Sequence, residues 1–206
     1  MTTNTARRDF LGRLAALGAS IGLLPAHTAG ATTAAAAVED PWMKRVTGTH
    51  KVVFHSHMPT EGLAIRWAQT FLDTQKTAYG IREQDCTVIV GLNGRSIGWF
   101  FNDALWAKYP SIGEVMGTAG SSANPNRNAI ASLAGRNVIL LACANSIRAS
   151  GGRFLAPEQR TDPERARAFG DEVRANLLPG IEVVPAMIVT LQQAQERGCR
   201  YVYAGG

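Results

Sequence analysis

From about residue 50 onward, short runs of β-branched and apolar residues alternate with longer stretches whose apolar positions recur every three or four residues. That alternation predicts βα units building a parallel sheet. Lys51 to His55 is the first expected strand. A helix capped by Thr60 then runs to about Tyr79, with Leu63, Trp67 and Phe71 beside Ala64, Ala68 and Leu72 on its inner face, and Gly80 ends it. Cys86 to Gly91 is the second strand, and a helix from Arg95 to Ala107 follows the turn Asn93-Gly94, its Trp99, Phe100 and Trp106 read as packing residues. Residues 108–128 have no steady period and are expected as a long surface loop, as is the Gly-containing stretch after Cys143. A short helix ending at Gly135 leads into Asn137 to Ala142, the most apolar strand and so the expected centre of the sheet. Asp162 or Thr161 with Pro163 starts a helix to about Leu177; Ile181 to Val184 is a strand; Pro185 opens a last helix with Met187, Ile188, Leu191 and Ala194 inward. Arg200 to Tyr203 closes a sheet of about five parallel strands with helices on both faces, in a single α/β domain.

The first residues have another character. Ala6-Arg7-Arg8-Asp9-Phe10-Leu11 resembles a twin-arginine export signature, followed by the mildly apolar Leu14 to Leu24 and a small-residue stretch that offers cleavage after Ala31 or, preferred, after Ala37. At about 1.5 Å per residue Leu14 to Leu24 falls short of a hydrocarbon core of roughly 30 Å, so no stable membrane span is expected. The expected division is residues 1–37 as signal peptide and linker and residues 38–206 as the working domain, periplasmic or otherwise exported by the twin-arginine route. Such substrates generally cross already folded.

The chain's net charge is +5, of which Arg7, Arg8 and Arg13 against Asp9 account for +2. The remaining excess is modest, and with export it argues against nucleic-acid binding. Residues 148–174 hold six arginines and five acidic residues and read as a solvated, salt-bridged surface. Three cysteines, Cys86, Cys143 and Cys199, leave at least one thiol unpaired unless two chains join. In an oxidising compartment such a thiol is either hidden or kept for reactivity.

Ligand sites of parallel α/β sheets lie beyond the carboxyl ends of the strands. Those ends carry His55, Ser56 and His57; Leu92, Asn93 and Gly94; Cys143, Ala144 and Asn145; Pro185 and Ala186. Cys86 and Cys199 sit at the opposite ends, and pairing them requires neighbouring strands. Cys143 admits two readings. A cysteine closing an apolar strand is commonly a small buried hydrophobe, yet the helical turn after it offers free N–H groups that favour a thiolate. His55 and His57 alternate along an extended segment, and Cys143 from an adjacent strand could join them as a third zinc or copper ligand. No CxxC, HExxH, GxSxG, Walker or dinucleotide pattern accompanies them, so neither a resident metal nor a cofactor is expected.

The segment from Asn137 to Ile147, with Cys143-Ala144-Asn145 at its core, resembles the third strand and cysteine motif of the DsrE/DsrF-like sulfur-relay family. Val183-Val184-Pro185-Ala186, then Gln195, Gly198 and Tyr201, and the opening Val52-Val53-Phe54-His55 are similar to that family in order and spacing, covering most of residues 50–204. The resemblance implies a flavodoxin-like parallel sheet, a homo-oligomer (trimer or hexamer) and a thiol or sulfur-donor partner protein. It also implies a persulfide carried on Cys143, with Ala144 and Asn145 as the loop steadying an anion through backbone N–H groups. His55 and His57 are candidate acid/base groups. Any activity would be that of a sulfurtransferase-like carrier; the alternative is a non-catalytic ligand- or metal-binding or assembly module of the same fold.

Overall fold

The first strand, β1 (His50–Ser56), is buried on both faces from Val52 onward, which only a central position in a covered sheet allows. The computed structural model describes residues 39–205; the expected export signal and its cleavage sites lie outside them. With β2 (Cys86–Leu92), β3 (Ile139–Cys143), β4 (Ile181–Val184) and β5 (Arg200–Tyr203), β1 forms a five-stranded, all-parallel sheet in the order β4-β3-β2-β1-β5. This is an α/β fold of the flavodoxin-like kind. Although β3 is the most apolar strand, β2 takes the middle of the sheet.

Alternation along the strands divides the core in two. Val52, Phe54, Val88, Val90, Leu140 and Ala142 face one layer, and Val53, Ile89, Ile139, Leu141 and Cys143 face the other. The first layer is thick. It is covered by α1 (Leu63–Tyr79), α2 (Asp103–Lys108), α3 (Pro110–Val115), α4 (Arg127–Gly135), α5 (Ala144–Arg148), α6 (Gly151–Phe154), α7 (Pro157–Arg160) and α8 (Pro163–Ala175). The second layer is thin, consisting of α9 (Met187–Glu196) and a 3-10 turn at Pro41–Arg45 whose Trp42 and Met43 are buried. Among the described residues no helix is long and apolar enough to cross a membrane.

Several elements depart from expectation. Thr60 does not cap α1: it and Glu61 take positive φ, Gly62 (φ 74) is the cap residue, and the Thr60 hydroxyl reaches Ala204 O at 3.1 Å. Trp67 is 36% exposed because the buried arc of α1 runs through Ala64, Ile65, Ala68 and Leu72; at the arc's edge its ring meets Phe54 edge-on, 6.3 Å between centroids. By the same geometry Ile188 is 77% exposed, one position off the Met187–Thr190–Leu191–Ala194 stripe of α9. The expected helix 95–107 is broken into a 3-10 turn at Ser96–Phe100 and α2, because Asn102 intercepts the chain as an N-cap, its side chain accepting from Leu105 N at 3.1 Å. Trp99 and Trp106 do pack as expected, stacked at 5.8 Å with both indole N–H groups donating to backbone carbonyls.

Residues 108–128 are not a loose loop. They contain α3, bury Ile112 and Met116, and are pinned by the fully buried Asn124, whose amide donates to Trp99 O and Phe101 O at 2.6 and 2.8 Å. Residues 150–162 likewise fold into α6 and α7 over the buried Phe154 and Leu155. Asp162 caps α8 as its sequence suggests, accepting from Glu164 N and Arg165 N, and the helix ends at Ala175.

Candidate functional site

The parity that sends Val53 and Ile89 into the thin layer also sends His55, Gly91, Cys143, Tyr201 and Tyr203 there, at or near the carboxyl ends of their strands. Cys143 is the last residue of β3, immediately before α5, and is 4% exposed. The backbone N–H of Met187, the first residue of α9, donates to Cys143 Sγ at 3.5 Å. The sulfur therefore rests at the positive end of a ten-residue helix. A Cβ at Gly91 would stand 2.7 Å from Met187 Sδ, so the missing side chain in β2 is what seats the methionine against the sheet. Ala144 is buried and Asn145 exposed; both stand in the first turn of α5, where backbone N–H groups lack intrahelical acceptors, and the Asn145 side-chain oxygen accepts from Arg148.

His55 lies on the other side of Gly91. It is 8% exposed, with Nδ1 3.0 Å from the Tyr201 hydroxyl and Nε2 3.1 Å from Asn93 Oδ1. The carboxamide oxygen accepts only, so Nε2 carries the proton and Nδ1 accepts the Tyr201 O–H: a neutral imidazole fully satisfied. Burial, only partly offset by the Asn93 hydrogen bond and reinforced by the nearby His57, pulls the His55 pKa below the ordinary 6.5. His57 is exposed and turns toward β5, stacked on Tyr203 at 5.7 Å and hydrogen-bonded to its hydroxyl at 2.6 Å. Burial, followed by the neighbouring Tyr203, raises the Tyr201 pKa. Gly94 (φ 57) lets the loop after β2 close over this edge: a Cβ there would meet His57 O at 2.6 Å, and its N–H donates to Ser146 Oγ at 2.9 Å.

A pH dependence follows from His55. Its folded pKa lies below its unfolded one, so on acidification the unfolded chain takes up the proton first. This contribution to stability is complete above pH 6.5 and is lost as pH falls from there toward the folded pKa. Chemical denaturation across that range should show a loss of stability that His55→Gln flattens; parallel curves for the two proteins would contradict it.

The structure gathers His55, His57, Asn93 and the two tyrosines into one array and leaves Cys143 apart. β3 is not adjacent to β1: β2 lies between them, so two strand spacings, roughly 10 Å, separate the histidine and cysteine positions. A His55/His57/Cys143 metal set is not formed, and among the described residues no group of three or more His, Cys, Asp or Glu is placed to hold a metal. Cys86 opens β2 and Cys199 immediately precedes β5; both are free thiols, and β1 lies between those two strands. Burial raises the pKa of both, with Asp85 and Glu83 adding to the effect at Cys86, and their thiolates are disfavoured. The pairing of Met187 with Cys143, and of Asn93, Tyr201 and Tyr203 with the histidines, was missed by sequence reasoning, although it placed Asn93 at a strand end. The i, i+2 repeats at strand ends (His55/His57, Gly91/Asn93, Tyr201/Tyr203) are the signal that could have grouped most of them.

No family model matches this chain, and no curated protein does. Among solved structures, a protein of unknown function from Methanobacterium thermoautotrophicum, MTH1491, is similar at TM-score 0.45 and 16% sequence identity, over 75% of this chain and 98% of that one.

Proposed function

We propose that this protein handles sulfane sulfur as a persulfide on Cys143. The observation that carries the reading is the Met187 N–H at the start of α9 donating to Cys143 Sγ, which favours negative charge on that sulfur. Among the described residues no backbone N–H donates to the sulfur of Cys86 or Cys199, and the pKa of each is raised, first by burial. In the proposed reaction the Cys143 thiolate attacks the outer sulfur of a donor persulfide, forming Cys143–S–SH and releasing the donor as its thiolate. An acceptor thiolate then attacks the outer sulfur, takes it as a new persulfide and leaves Cys143 as thiolate. No net redox change occurs, and no cofactor enters.

His55 and His57 have no direct part in this step on the observed register; they organise the adjoining edge. On this reading the chain is exported folded with Cys143 still a thiol, and the exposed Ile188, Val189, Tyr201 and Tyr203 fit contacts with a second copy or with a thiol partner. The competing reading, a non-catalytic module of the same fold, has the 4% exposure of Cys143 on its side.

Intact-protein mass spectrometry after incubation with a small persulfide donor distinguishes the two. Wild-type protein and the Cys86→Ser/Cys199→Ser variant are expected to gain one sulfur atom, lost again on reduction, and Cys143→Ser to gain none. No added sulfur at Cys143, under conditions that load a known carrier, would sink the proposal.

A further inference from the structure

The arginine-rich stretch is not the salt-bridged surface its composition suggests. None of the six arginines between residues 148 and 174 forms an ion pair among the described residues. Arg153 and Arg160 donate to backbone carbonyls, and Arg165 to the Tyr109 hydroxyl. Glu172 is taken by Lys108 and by the same Tyr109 hydroxyl that accepts from Arg165. The other three arginines converge. Arg167 and Arg174 stand seven residues apart, hence on one face of α8, and Arg148 faces them from α5.

Between those helices runs a groove of about 560 Å³. Its floor is apolar and small: Ile147, Pro163, Ala166 and Gly170. Gly170 lets the helices approach closely, since a Cβ there would stand 3.1 Å from Ile147 O. One carboxylate, Asp171, shares the rim with the three guanidinium groups, leaving the groove net positive.

We infer that this groove receives an acidic segment of a partner protein, with small apolar side chains on the floor and carboxylates against Arg148, Arg167 and Arg174. Three features select that occupant. Guanidinium forks match carboxylates bidentately, and among the described residues none of the three is ion-paired, Asp171 staying beyond ion-pair distance and Arg148 donating only to the Asn145 side chain. Arg167 and Arg174 lie about 10 Å apart along the helix axis, a span that a few extended residues bridge. The groove has no aromatic ring on which a base could stack, and the exposed large apolar residues that could enter a lipid surface (Trp67, Tyr79, Ile188, Val189, Tyr201, Tyr203) lie elsewhere. The inference does not depend on Cys143.

The probe is a capped, fluorescein-labelled peptide carrying a Leu-Val pair between two Glu-Glu pairs, titrated into the full chain and followed by anisotropy. Binding is expected, weakening with added salt and falling at least about tenfold in Arg167→Glu/Arg174→Glu, whose exposed positions leave the thermal melt intact. Amide shift changes in the wild-type protein should cluster at residues 147–148 and 163–174, a readout that needs no variant. Equal affinity in the charge-reversed variant, equal binding of the peptide with Lys in place of Glu, or shifts centred elsewhere would overturn the inference. Tighter arginine-dependent binding of anionic vesicles or of a single-stranded oligonucleotide would likewise overturn it, making a membrane or nucleic acid the occupant.

Discussion

Met187→Ala is expected to raise the rate at which Cys143 reacts with iodoacetamide by at least about tenfold, because truncating a buried methionine costs roughly 2–5 kcal/mol and much of that loss falls on the first turn of α9. Cys143 and Met187 are both buried in the same cluster, so lifting this turn is expected to open the sulfur to reagent. The methionine side chain lies across Gly91 and holds the turn down, while its backbone N–H holds the sulfur. Leu191→Ala is the control. It deletes a buried side chain of the same cluster one helical turn away, so it lowers global stability without uncovering the thiol. Labelling measured in the Cys86→Ser/Cys199→Ser background should separate the two variants at equal stability. An unchanged rate in Met187→Ala would mean that another element guards the sulfur, and the burial of Cys143 would then weigh toward the non-catalytic reading.

Gly151→Ala should lower the thermal midpoint by roughly 5–15 °C, corresponding to about 2–4 kcal/mol for a domain of this size. A Cβ at Gly151 would stand 2.5 Å from both Cα and O of Ala166 in α8. These are backbone atoms, so no side-chain rotation relieves the clash and α6 must move away from α8. Its neighbour provides the comparison: nothing lies within 4 Å of a Cβ at Gly152, and Gly152→Ala should change stability by no more than about 0.5 kcal/mol. Differential scanning calorimetry reads both. Similar melts for the two variants would show that α6 packs less tightly on α8 than a 2.5 Å approach to the Ala166 backbone requires.

The pattern of apolar runs was sufficient to identify all five strands and their parallel arrangement: β1, β2 and β3 are buried by their own β-branched and aliphatic residues, and the half-buried β4 and exposed β5 keep short β-branched or aromatic runs. Long amphipathic helices such as α1 and α8 were legible for the same reason. The misreadings cluster where a single side chain overrides periodicity. Asn102 ends one helical turn and starts another by capping. Asn124 gives up no local signal, yet it anchors residues 108–128 through two hydrogen bonds to carbonyls more than twenty positions away. Long-range bonds of that kind leave no trace in a window of neighbouring residues.

At the site, strand-end position was enough to single out His55, His57 and Cys143, since the ends of parallel strands can be counted from sequence. Strand order could not be counted. The insertion of β2 between β1 and β3 separates the histidines from the cysteine and joins them instead to the tyrosines of β5, which returns to the far edge only because α9 crosses the sheet. Composition likewise counted arginines and acids in 148–174 but not their directions; helix phase turned Glu172 toward Lys108 and left Arg167 and Arg174 without an ion pair among the described residues. Local pattern alone carried the five strands, the long amphipathic helices and the chemistry at the strand ends, because each of these is written in neighbouring residues. Which of those chemistries meet, and which stay unpaired, was decided only by the tertiary structure, because lateral strand order and helix phase depend on how distant segments share a core.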